Sequence, residues 1–427
     1  MKQRILMFWT LCRGDGIHDD TTAIQTAILT CPKGGLVHIP EIKYLVKTLF
    51  LKSHQTIELK RGATLLGHTD RSVYPILPAQ VKRLDGSILE LSFWEGHPAP
   101  TFASIITGLE VEDVKIIGEG IIDERAHLSD WWVNHKVMRG GAWRPKGVFL
   151  SNSKHIGMQG VTVTNTPSWN LHPYFSSYID FIDMKIISPK NSPNTDGCDP
   201  ESCDNVNVIG VDFSVGDDCI TIKSSKFEMG MKYQKPTSNM TVRNCMIAYG
   251  HGAVVLVSEM SGGIKDLSVT QCYFKQTDRG LRNKTRRGRG KSAIIDGITF
   301  ENIVMEDVLT PLVMNMYYFC DDDGKTPYVY SKEVHPVDDR TPYLGSFTFQ
   351  HMTCKNVHAA AGFFYGLPEQ SIESITLEDI TFTYAENPTP EFPAMMSYID
   401  TMKGEGLQFR FVNQVKLKDV NLIKPIG

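Results

Sequence analysis

The chain has 427 residues, a formal net charge of −4 and 22% charged residues. A single globular core stops growing at about 250–300 residues, so this length calls for several domains or for a solenoid that grows along one axis. Near-balanced charge gives no global pull toward nucleic acid or acidic lipid, and no apolar run reaches the ~18–20 residues that span a bilayer; a soluble protein with neither as partner is expected.

At the start, Lys2 and Arg4 precede a short apolar run, Ile5 to Cys12, broken by Arg13. It is shorter than a signal peptide and lacks a small-residue cleavage site, so a cytoplasmic protein is expected, with export only if the start is truncated or mis-assigned. The nine cysteines are scattered without paired metal-ligand spacing. Cys245, Cys272 and Cys354 fall on apolar strand positions, where a thiol acts as a small hydrophobe, and reduced cysteines are expected.

Gly14-Asp15-Gly16 is a turn signal, and Asp19-Asp20-Thr21-Thr22 before Ala23, Ile24, Ala27 and Ile28 predicts a capped amphipathic helix ended by Pro32 and Gly34-Gly35. Short strands follow around 36–39, 48–51, 56–59 and 63–66. Residues 1–45 read as a cap over one end of a larger β structure, as the terminal units of solenoids require.

From Ile156 onward a repeat decides the fold. Its template is apolar, any, apolar, two residues, apolar, any, apolar. It fits Ile156/Met158/Val161/Val163, Ile179/Phe181/Met184/Ile186, Val206/Val208/Val211/Phe213, Met240/Val242/Cys245/Ile247 and Leu267/Val269/Cys272/Phe274. It continues at Ile298/Phe300/Ile303/Met305, Phe347/Phe349/Met352/Cys354, Ile375/Leu377/Ile380/Phe382 and Val415/Leu417/Val420/Leu422. Most copies recur at about 23 to 34 residues, and none can bury its apolar face alone, so neighbours stack in parallel. The expected fold is all-β: one right-handed parallel β-helix over 1–427, with a short N-terminal helical cap and a loop insertion at 306–344.

One solenoid turn then separates Asp196, in Asn194-Thr195-Asp196, from Asp217-Asp218, in Gly216-Asp217-Asp218. Adjacent parallel strands lie about 4.8 Å apart, so matching corners of neighbouring turns reach one substrate bond. Further copies of that corner carry Gly250-His251-Gly252 and then Arg282-Asn283-Lys284. Taken singly, each acid is an ordinary turn residue and His251 an ordinary turn histidine. Turn formation alone does not require their order on consecutive repeats.

These four motifs, in this order, resemble glycoside hydrolase family 28, the polygalacturonases, and the chain looks like their bacterial exo-acting members. The likeness runs from Gly14-Asp15-Gly16 through Trp131-Trp132, Arg144-Pro145 and Trp169 to Pro173. Asn283 stands where the family usually has isoleucine; as the middle residue of an alternating strand it points away from its neighbours' face and is expected to matter little. Phe8 to Cys12 replaces an expected strand.

The resemblance implies hydrolysis of α-1,4 links between galacturonate units of polygalacturonate or oligogalacturonides, with inversion, exo action and neither cofactor nor metal. Inverting hydrolysis needs one protonated carboxyl for the leaving oxygen and one ionised carboxylate for water, and crowded carboxyls raise the pKa of at least one. By the resemblance Asp217 is the general acid, Asp196 and Asp218 manage the water, and His251 keeps the acid's proton placed. Asn194, Gly252, Arg282, Lys284 and a tyrosine, Tyr318 in preference to Tyr317, would bind substrate. Arg282 and Lys284 suit a carboxylate-bearing pectic saccharide. Arg286, Arg287, Arg289 and Lys291 read as a solvated loop rather than a nucleic-acid patch, Trp131, Trp132 and Trp169 as packing residues, and His172 as undecided. The rival readings are a hydrolase of rhamnogalacturonan or xylogalacturonan, a calcium-dependent pectate lyase and a non-catalytic glycan-binding β-helix.

Overall fold

The computed structural model describes residues 5–6, 12–321 and 323–425. The run at Phe8 to Cys12 lies outside the described residues except for Cys12, as do Lys2 and Arg4 of the charged start. Two compact units, Met1–Asp217 and Asp218–Gly427, divide the chain.

The first unit opens with α1 (Thr21–Thr30), which buries Ala23, Ile24, Ala27 and Ile28 as its spacing predicts. Its capping differs from the simplest reading. Asp20, directly before the helix, makes no side-chain cap bond and instead accepts from the Arg13 and Gly14 amides at 2.8 and 3.1 Å. The Thr21 amide donates to Asp19 at 3.0 Å.

Beyond the helix, strands Gln55–Leu59, Glu112–Gly118, Lys154–Gln159, Ser177–Ile182 and Asp204–Ile209 pair in parallel, each rung in register with the next. Ile156, Ile179 and Val206 therefore pile in one slot. A second wall of the same rungs includes β1 (Val148–Ser151) and β2 (Leu171–Tyr174), again parallel. The repeat begins earlier than Ile156: Val114 and Ile116 sit in register with Ile156 and Met158, and Ile122 with Val163.

In the second unit the wall that matters for function is β3 (Ile220–Ile222), β4 (Val254–Leu256), β5 (Arg279–Lys284), β6 (Thr310–Asn315), β7 (Ala360–Tyr365) and β8 (Glu405–Arg410), all parallel neighbours. The template copies line the other wall and stack in one register from Met240 through Leu267, Ile298, Phe347 and Ile375 to Val415 in the last strand, β9 (Val412–Ile423). Both units are thus right-handed parallel β-helix turns, the hand that almost all parallel crossovers take. Thr310–Asn315 is a rung strand inside the span 306–344, and a short helix, Pro327–Tyr330, follows it.

Each template copy also has a backbone signature. The second of its two spacer residues is left-handed in every case: Gly160, Asp183 and Gly210 in the first unit, then Asn244, Gln271, Asn302, His351, Asp379 and Asp419 in the second. Glycine takes this conformation freely, and Asn and Asp take it more readily than other residues, so the spacer is a corner that turns the strand between its two apolar pairs. Stacked corners bond to one another, as His351 Nδ1 does with Asp379 at 2.9 Å. In the first eight copies the four template residues are buried. In the ninth, Val415, Leu417 and Leu422 remain 40%, 53% and 45% exposed.

Candidate active site

In the first unit, the turn carrying Asn194 to Asp196 is held from three sides. Asn194 is left-handed (φ 54°), and its Oδ1 accepts from the Arg144 guanidinium at 2.7 Å. The same guanidinium donates to the carbonyls of Pro167 at 2.6 Å and Pro193 at 2.9 Å. Asn170 donates its backbone and side-chain N–H groups to the Asp196 carbonyl at 2.7 and 2.9 Å. Thr195, fully buried, accepts from the Gly216 amide at 3.1 Å and so ties this turn to the next.

As a result Asp196, only 5% exposed, and the half-buried Asp217 bring carboxylate oxygens within 4.8 Å of each other. Oxygens this close are also the kind a divalent cation would take. Burial draws the Arg144 guanidinium down to about 10, opposed by Glu95, Asp196 and Asp217, so it stays charged at neutral pH. Burial first, then Arg144 and Lys136, lower the His135 pKa, while Asp217 raises it. Arg144 is thus a member of the acidic site that its motifs do not include; its partners lie too far along the chain for local spacing to reveal.

The second unit begins at Asp218, one peptide bond beyond Asp217. Asp218 is 2% exposed and accepts from Arg282 at 3.2 Å and from Lys284 at 2.5 Å. Alternation on β5 accounts for this: Arg282 and Lys284 project from one side of the strand, and Leu281 and Asn283 from the other. Gly252 makes room, because a Cβ there would stand 3.2 Å from Asp218 Oδ1 and 2.5 Å from a Val255 methyl. Exposed His251 lines a cleft of about 510 Å³ together with Arg282, Phe319, Glu391, Phe392 and Met395. Lys284 lies 5.7 Å from the centre of the Tyr318 ring. Burial, then neighbouring Cys320, push the Tyr318 hydroxyl well up, so it stays a neutral donor. Tyr317 is instead buried under Lys332, 3.7 Å over its ring. The tyrosine beside Lys284 is therefore Tyr318.

Two expectations need correction. Arg286, Arg287 and Arg289 are not a solvated loop, being only 3%, 1% and 4% exposed. Arg286 and Arg289 pair with Asp321, and Arg286 also with Asp323 at 2.5 Å. Arg287 grips Glu369 through two bonds of 2.5 and 2.9 Å. The acids that consume these charges, Asp321, Asp323 and Glu369, are too distant for a local charge count to register. Lys291 alone is exposed as expected, paired with Asp339. Asn283 does point away from the cations, but that direction is the solenoid interior. It is 0% exposed between Leu256 and Met314, and no described group partners its amide oxygen or nitrogen. It matters to stability for that reason.

The tryptophans and His172 are packed or hydrogen-bonded within the fold. Trp131 is buried against Tyr74 and Phe102, and Trp169 stacks on Trp94 at 5.2 Å. Half-buried Trp132 donates to the Thr166 carbonyl. His172 is wholly buried, its Nε2 3.2 Å from Glu201.

The family model of glycosyl hydrolases family 28 matches residues 77–338. The chain belongs to that family. As a family 28 protein it is a glycoside hydrolase, and its relatives agree. A probable polygalacturonase of Vitis vinifera is 31% identical over 381 residues, which are 87% of this chain and 72% of that protein. An exo-poly-alpha-D-galacturonosidase of Dickeya chrysanthemi is 27% identical over 75% of this chain and 58% of its own length. Among solved structures, an exopolygalacturonase from Thermotoga maritima aligns with TM-score 0.80 at 22% identity, over 99% of this chain and 92% of that one. The family 28 exopolygalacturonase of Yersinia enterocolitica aligns with TM-score 0.74 at 20% identity, over 100% and 80%. At such identities the structural likeness speaks for the fold. Among the described residues no helix is long and apolar enough to cross a membrane.

Proposed function

We propose that this family 28 hydrolase cleaves α-1,4-galacturonosidic bonds of polygalacturonate or oligogalacturonides, removing units from chain ends with inversion at the anomeric carbon. The observation that carries the reading is the pair Arg282 and Lys284, both turned to one side of β5 and both on the Asp218 carboxylate. A uronate carboxylate can share these cations, the guanidinium through two parallel bonds and the ammonium as a mobile point charge. Tyr318 beside Lys284 adds an aromatic face for a sugar ring.

In this reading Asp217 donates the proton to the leaving oxygen and Asp196 and Asp218 orient and deprotonate the water. His251 positions the acid's proton, while Asn194 and Gly252 contribute to the substrate surface. Arg144, through Asn194 and the Pro193 carbonyl, fixes the turn that carries Asp196. Exo action is supported by the cleft at Arg282. Its wall is the segment Glu391 to Met396, which bonds β5 through Arg279 to the Phe392 and Pro393 carbonyls and meets Arg282 at the Met395 sulfur. A space of about 510 Å³ is of the size that holds a small ligand, and suits the end of a saccharide.

The test is incubation with defined galacturonate oligomers and polymer, following product size and the first anomer by NMR. Inverting carboxyl pairs usually stand ~6.5–9.5 Å apart and retaining pairs ~5–5.5 Å, so the closer approach of Asp196 and Asp217 makes the anomer the informative readout. Single units released with the inverted anomer are expected. Retained anomer would overturn the mechanism, rapid viscosity loss the exo assignment, activity on rhamnogalacturonan or xylogalacturonan alone the substrate, and a calcium-dependent unsaturated product the hydrolysis itself.

A further inference from the structure

The segment that walls the cleft at Arg282 is tied down independently of that arginine. Arg279 donates to the Phe392 and Pro393 carbonyls, the Asn315 side chain donates to the Met395 carbonyl at 3.0 Å, and Met396 forms an antiparallel bridge with Tyr318. Met395 therefore stands between fixed neighbours, and its half-buried side chain lines the cleft beside Arg282. One terminal nitrogen of Arg282 donates to Asp218 at 3.2 Å, and the other meets the Met395 sulfur.

Those two acceptors differ in strength. Asp218 is a buried carboxylate, and a charge-assisted bond to a guanidinium is a strong one. A thioether is a weak, uncharged acceptor. It orients the guanidinium before substrate arrives and then yields the nitrogen to a uronate carboxylate, which forms the stronger bond.

We propose that Met395 is a positioning residue for Arg282 and a peroxide-sensitive modification site. As a thioether it keeps the guanidinium aimed at the substrate carboxylate; as a sulfoxide it competes with that carboxylate. The inference rests on the reading that Arg282 binds a uronate. In the oxidation the O–O bond of hydrogen peroxide breaks, one oxygen bonds to the sulfur through a sulfur lone pair, and the other leaves as water with both protons. The sulfur is oxidised by two electrons and the peroxide reduced, and the product is a polar sulfoxide that a reductase can reverse. Its oxygen lies against the guanidinium because the wall segment is fixed from Arg279, Asn315 and Tyr318. Met138 and Met246, 47% and 45% exposed, are also open to peroxide, but neither lines this cleft.

The experiment is steady-state hydrolysis of galacturonate oligomers before and after hydrogen peroxide, and again after methionine sulfoxide reductase. Wild type, Met395→Leu and Met395→Gln are each compared with their own untreated form, and peptide mass spectrometry places the added oxygen. In wild type, oxidation of Met395 is expected to raise KM on the order of tenfold at constant kcat, the effect of one hydrogen bond to a charged group, and the reductase to restore it. Met395→Gln, whose amide oxygen stands in for the sulfoxide, is expected to show the raised KM without peroxide. Met395→Leu is expected not to respond to peroxide, although it retains the exposed thiol of Cys320. No added oxygen on Met395, a fall in kcat at constant KM, a wild-type KM in Met395→Gln, or an equal response in Met395→Leu would each overturn the proposal. If untreated wild type hydrolyses no galacturonate oligomer, the substrate reading falls and this inference with it; hydrolysis at a KM indifferent to Met395 oxidation removes this inference alone.

Discussion

Replacing Asn283 with isoleucine tests the interior of the second unit. The side chain is fully buried on β5 between Leu256 and Met314, and its amide has no partner among the described residues. Burying an unsatisfied amide costs about 1–3 kcal/mol in mutational series. A β-branched apolar residue removes that cost and adds about 1.5–3 kcal/mol of apolar burial, offset by about 1–3 kcal/mol where the larger side chain must be accommodated. The net expectation is about 1–3 kcal/mol of added stability. With a urea slope of ~3 kcal/mol/M, that moves the unfolding midpoint up by ~0.3–1 M at constant slope. Activity should not change, because Arg282 and Lys284 leave the opposite side of the strand. A lower midpoint would show that the amide is satisfied inside the solenoid, and a loss of activity would show that position 283 is coupled to the cations beside it.

Three further outcomes follow from the same geometry. Arg144→Gln should lower kcat on the order of 10²-fold through misplacement of the Asn194 turn, with partial recovery in Arg144→Lys; an unchanged kcat would remove Arg144 from the site. Arg287→Met should destabilise by about 3–5 kcal/mol by stranding buried Glu369, and adding Glu369→Leu should restore most of it; equal single and double losses in urea unfolding would contradict the pair. Burial alone would raise Asp321, but Arg289, Lys226 and Arg286 outweigh it and hold this carboxyl at about 2. Its stabilisation, about 2 kcal/mol, is therefore complete above the ordinary carboxylate range near pH ~4 and is lost as pH falls toward about 2. Asp321→Asn should remove that acid-side slope, and a slope identical to wild type would refute the assignment.

The solenoid was legible because the interior repeats: the same apolar slots recur along the chain and the structure stacks them residue on residue. The repeat was legible only from Ile156 because the earlier rung carries an extra residue at Gly118 to Gly120, which moves Ile122 out of the template while leaving it in register with Val163. The helix Phe227–Tyr233, inserted between rungs, is too short to show a helical period. Of the site, the residues on rung corners were legible through their order. Arg144 was visible only as part of a family likeness, since its partners lie 23, 49 and 50 residues away. The buried arginines were misread for a related reason: a run of cations looks solvated until the acids that neutralise it arrive from elsewhere.

The left-handed corners have a consequence for how such a chain can change length. Each corner hands the next rung the same strand direction and the same pair of apolar slots, from Asn244 through Gln271 and Asn302 to His351 and Asp379. A segment running from one corner to the next is therefore interchangeable in kind, and a chain can gain or lose one whole without disturbing the slots on either side. A gain or loss of any other size throws every later corner out of step, unless it falls in a loop that leaves the stack. Size in this architecture is quantised.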